Sequence, residues 1–113
     1  MAQVSDAVAR IQKRFLGQGP SRVHTALSGD LLTVTMEGSL TRYERMLQKF
    51  GHEDEAIWFR RSVQEVIGRE YKAAVETILF RAVRSFMATN DPANELSVLL
   101  FVLDSDEVGS ASA

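Results

Sequence analysis

The chain has 113 residues, 45% of them hydrophobic and 25% charged, with a formal net charge of −2. That is ordinary globular composition, enough for one domain with a modest core, and it gives no general pull toward nucleic acid or an anionic membrane surface. With no cysteine, disulfides, thiolate metal sites and a cysteine nucleophile are excluded.

The first segment pairs Val4, Ala7, Val8, Ile11 and Phe15 at helical spacing against Asp6, Arg10 and Lys13. This predicts an amphipathic helix capped by Ser5 and ended by Gly17 and Pro20. Its charge argues against a signal peptide. Val23, Thr25 and Leu27 then alternate with His24 and Ala26, and Leu32, Val34 and Met36 with Thr33 and Thr35, around the turn signal Ser28-Gly29-Asp30. The two runs predict a β-hairpin.

Thr41-Arg42-Tyr43-Glu44 has the spacing of a capping box and should open a short helix running to about Phe50, before Gly51. A long helix should start at Asp54 and reach about Leu79. Phe59, Val63, Ile67, Tyr71, Ala74, Val75, Ile78 and Leu79 make its apolar stripe, and Gly68 is its weak position. Val83 to Thr89 reads as extended, Asn90 to Asn94 as a turn, and Leu96 to Leu103 as a last strand. Within that strand the longest wholly apolar run, Val98 to Leu103, is too short to span a bilayer.

The predicted order is α-β-β-α-α-β-β, an α+β fold with a four-stranded antiparallel sheet and helices mainly on one face. One domain should fill residues 1–104, with a flexible acidic, serine-rich tail over 105–113. The last strand is apolar on both alternating faces, so we expect the helices to cover one face and a second subunit the other. Leu99, Phe101 and Leu103 are the candidate homodimer interface.

Candidates for chemistry are few. Gly17-Gln18-Gly19-Pro20 lacks the third glycine of a dinucleotide loop and the Gly-Lys-Ser/Thr ending of a P-loop, and it follows a helix instead of opening one. It reads as a helix-stop turn, with ligand contact by Gly17, Gly19 and Pro20 as the alternative. The two histidines, His24 and His52, do not assemble three converging metal ligands, and no acid–histidine–nucleophile set can be built. We therefore expect no enzyme, no metal and no cofactor. Arg42, Arg60 and Arg61 lie in the most basic region; they suit a salt-bridged solvated face or, near the glycine loop, an anion site. Trp58 falls off the main stripe and either packs on the short helix or anchors a partner.

The ordered set of features resembles the MpsC-like family, named for an accessory component of a bacterial sodium-translocating membrane-potential-generating system. The matching residues are Gly17, Gly19 and Pro20 after the first helix, Leu40, Thr41 and Glu44 at a helix start, and an arginine, Arg60 or Arg61, in the long helix. Phe86 and Met87 before the last turn, and Phe101 to Leu103 after it, complete the set. Gln18 departs from the basic residue that members often carry there. The resemblance covers nearly the whole chain up to Asp104. It implies a small soluble bacterial protein linked to membrane ion or bicarbonate transport, regulatory or accessory, with a membrane-transport protein as partner. The charged first helix and the short apolar run lead us to expect a cytoplasmic protein without direct membrane insertion, and the net charge of −2 argues against a nucleic-acid partner. The alternative is a small-molecule or anion-binding sensor.

Overall fold

The computed structural model describes residues 1–105; the tail expected over 105–113 lies, beyond Ser105, outside the described residues. Three helices and four strands follow in the expected order: α1 (Ala2–Leu16), β1 (Arg22–Ser28), β2 (Leu31–Glu37), α2 (Arg42–Lys49), α3 (Glu53–Leu79), β3 (Val83–Asp91) and β4 (Leu96–Leu103). The sheet is wholly antiparallel in the order β1-β2-β4-β3, so the two hairpins join along a β2–β4 seam. α1 and α3 pack against each other on one side of it.

Local chemistry explains most boundaries. Gly17 takes φ +77 and its N–H donates to the Lys13 carbonyl at 2.8 Å, a left-handed stop that costs glycine little. The positive φ is at Gly17 and not at Gly19, so the backbone strain on substitution belongs to the first glycine. α1 begins at Ala2 with Met1 as its N-cap; Ser5 lies inside the first turns, and its hydroxyl shares a 2.6 Å hydrogen bond with Thr25 on β1. That cross-element bond displaces the expected capping role. β3 runs two residues past Thr89, and the turn is a single 3-10 turn, Pro92–Asn94. Gly68 sits where a Cβ would lie 2.9 Å from the Phe86 ring. The missing side chain lets β3 approach the middle of α3 closely, which outweighs its poor helix propensity.

The core lies between α1, α3 and the inner sheet face. Val4 and Val8 from α1, Ile67, Tyr71 and Val75 from α3, and Leu32, Val34 and Met36 from β2 close over it. Leu99, Phe101 and Leu103 belong there as well, essentially fully buried. This corrects their expected place at a dimer interface: α1 and α3 cross the sheet on the side to which these odd-numbered residues point. Leu96, Val98, Leu100 and Val102 take the other side, half-buried within the sheet. Phe15, expected in the α1 stripe, is exposed, and Gln12 takes the inward position one turn after Val8.

Candidate functional site

The most distinctive group of side chains is a buried polar node where α1, the β2–α2 connection, α2 and α3 meet. Thr41 caps α2 with both halves of the capping box made. Its hydroxyl accepts from the Glu44 amide at 3.2 Å, and Glu44 Oε1 accepts from the Thr41 amide at 3.0 Å. This carboxylate also belongs to an ion pair. Arg60 Nε donates to Glu44 Oε2 at 2.8 Å and Nη2 to Oε1 at 2.6 Å, with the two side chains 3% and 1% exposed. The fork is bidentate, which is the strongest geometry open to this pair. Arg60 Nη2 and Gln12 Nε2 both donate to the Ser39 carbonyl, at 2.7 and 3.1 Å. One carbonyl thus ties α1 and α3 to the end of the first hairpin.

One turn further along α3, Gln64 and Asn90 exchange amide hydrogen bonds at 2.9 and 3.0 Å, and Ser97 donates to Asn90 at 2.7 Å. This second network links α3 to β3 and β4. Beyond it Tyr71 is 1% exposed. Burial pushes its phenol from 10.0 up to about 12, and the nearby Arg60 charge opposes the shift. The inward face of α3 thus passes from polar (Arg60, Gln64) to apolar (Ile67, Tyr71, Val75). Gln12 Oε1 and Ser39 Oγ are the buried side-chain atoms without a protein partner among the described residues.

The anion-site candidates do not converge. Arg60 is spent on Glu44 and Ser39. Arg42 is exposed on the first turn of α2, and Arg61 borders a depression of about 190 Å³ beside Phe86, Met87 and Ala88. Gly17, Gly19 and Pro20 border a separate open depression of about 500 Å³, whose cations are Arg10 and Lys13. Lys13 also stands in the last turn of α1, where the helix dipole already favours positive charge. His24 is exposed on the open sheet face, and His52 pairs with Glu55 at 2.9 Å at the start of α3. Trp58 is 71% exposed and does not pack into the short helix as a core residue would.

Sequence reasoning found Thr41 and Glu44 but missed that Arg60 completes them. The signal was there: Arg60 and Gln64 stand seven and three residues before Ile67, on its face of the helix. An arginine on an inward face needs a buried carboxylate.

Residues 1–105 match the family described as Na+-translocating membrane potential-generating system (MpsC). The chain belongs to the MpsC family. No curated protein and no solved structure matches it. The resemblance carried by Gly17, Thr41 and Glu44 thus points to the right family, and in this MpsC chain the threonine–glutamate motif is the anchor of a buried ion pair. No helix among the described residues is long and apolar enough to cross a membrane.

Proposed function

We propose that this chain is a non-enzymatic accessory or regulatory protein of a sodium-translocating membrane system, cytoplasmic, acting through protein contacts as a homodimer in ion or bicarbonate transport. The family match over residues 1–105 carries this reading. Two features support it. The most distinctive polar side chains, Glu44 and Arg60, are sealed and mutually satisfied, so they serve architecture and do not face a substrate. Large apolar side chains are available at the surface instead: Trp58, Phe50 and Phe80 are all more than two-thirds exposed, and exposed aromatics are the residues that most often anchor protein interfaces. Phe80, 91% exposed, is held in a left-handed conformation at the end of α3, which presents its ring to solvent at some backbone cost.

Affinity capture of the tagged full chain from gently solubilised membranes tests the reading. Integral-membrane transport subunits should co-purify; their consistent absence, with the bait still folded, overturns it. The second reading, an anion sensor, rests on Arg10 and Lys13 beside the glycine loop. Bicarbonate or phosphate that bound only the folded chain would raise its melting temperature, and Lys13→Ala would remove that shift.

A further inference from the structure

The sheet face away from the helices has a charge pattern that selects one arrangement of two copies. Register fixes its rows. At one end Arg22, Glu37, Leu96 and Asp91 lie side by side across β1, β2, β4 and β3. At the other end the row is Ser28, Leu31, Val102 and Ser85. Between them Val98, Leu100 and Met87 continue an apolar band across β4 and β3. Arg22 and Glu37 approach to 3.7 Å, and Asn94 donates to one oxygen of the Asp91 carboxylate.

We infer that two copies pack through this face about a two-fold axis parallel to the strands and centred on the β2–β4 seam. The inference rests on the dimer reading above and supplies its geometry. That rotation lays β1 over β3 and β2 over β4 of the partner subunit, row on matching row. Arg22 then stands over Asp91 of the partner subunit, and Asp91 over its Arg22, giving two cross-subunit ion pairs at one end. Leu31 meets Val102 of the partner subunit, and Thr33 and Thr35 meet its Leu100 and Val98. The other in-plane axis, across the strands, would set Glu37 against Leu31 and Arg22 against Ser28 of the partner subunit, so Arg22 would lose Asp91 as a cross-subunit partner. An isologous interface must be self-complementary, and the first axis makes this face so through two equivalent Arg22–Asp91 pairs.

Size agrees with a specific but modest contact. Four strands about 4.8 Å apart and seven residues long at about 3.3 Å each present roughly 450 Å² per copy in plan, and aligned sheets stack about 10 Å apart. The buried total is roughly 1,000 Å², near the lower limit for a specific interface. An interface of this size belongs with weak, transient contacts, and the helices lie on its two outer sides.

Sedimentation and light scattering of the full chain over about 1–100 µM test the arrangement. The unmodified chain should pass from monomer to dimer. Arg22→Asp and Asp91→Arg should each weaken dimerisation by about tenfold or more, through lost attraction and new repulsion at two symmetric sites. The double swap should restore it, which no independent structural defect would do; circular dichroism checks that each variant is folded. A monomer throughout, or a double swap no better than the singles, overturns the inference. If a strictly monomeric chain still captures membrane subunits, the accessory role stands and this dimer alone fails. If the dimer forms as described but captures nothing, the reverse holds.

Discussion

Along β4, Leu99, Phe101 and Leu103 differ little in chemistry from Leu96, Val98, Leu100 and Val102. The first set is sealed beneath α1 and α3, while the second lies half-exposed on a bare sheet face. Strand alternation separates two such sets with certainty but does not say which faces the helices. That choice depends on which side α1 and α3 cross, a property of the whole topology. What distinguishes the two faces is their neighbours. The covered side adds Leu32, Val34 and Met36 from β2, and the open side adds Leu31 at its edge with Thr33, Thr35 and Glu37. The partially apolar strand β2, more than the largely apolar β4, records which side is inside.

The difference can be broken or sharpened by substitution. Phe101→Ala should cost about 3–5 kcal/mol, as expected for removing a buried ring from a close-packed core. Val98→Ala, on the open face, should cost well below half of that. Urea unfolding at submicromolar protein measures both, and equal losses would mean that the open face is buried in the monomer. Arg60→Ala should also cost roughly 3–5 kcal/mol at neutral pH, because Glu44 is left buried and charged without its partner. A small loss would show that the node admits water.

The covered side should also carry a signature at alkaline pH. Tyr71 ionises at about 12 in the folded chain against 10.0 for the ordinary value, so the unfolded state loses this proton first. Its contribution is full below pH 10 and declines as pH rises toward 12, by up to roughly 1.4 kcal/mol per pH unit. Tyr71→Phe should flatten that part of the stability profile. Thr41→Ala should cost about 0.5–2 kcal/mol in thermal or urea unfolding, since the Glu44 amide loses its acceptor. The smallest effect is expected at Gln12. Gln12→Met deletes a donor to Ser39, whose carbonyl keeps Arg60, and it also deletes an orphaned oxygen. The net change should stay within about 1 kcal/mol of zero.

What the sequence made legible was local. The capping box of Thr41 and Glu44, the left-handed stop at Gly17 and the two hairpins are each encoded within a few residues, and each appears where expected. Less legible were features that depend on distant partners. Ser5 has the chemistry of a cap but finds Thr25 across the domain. Arg60 has the chemistry of a surface cation but meets Glu44, which is itself fixed by Thr41. Gly68 looks like a weak point in a helix until Phe86 arrives from β3. Arg42, Arg60 and Arg61 do not gather at the glycine loop, because helical rotation sends Arg60 inward and Arg61 outward.

The β2–β4 seam has a consequence for synthesis. Glu37 pairs with Leu96, so α1 and the first hairpin leave the ribosome well before the strand that completes them. During that interval β2 presents an unpaired edge, and until α3 emerges Leu32, Val34 and Met36 also lack its cover. An open edge beside bare apolar side chains invites pairing with whichever matching strand arrives first. On a crowded polysome that strand can be β4 of a neighbouring nascent chain, so the seam is where hairpins from different molecules would be exchanged.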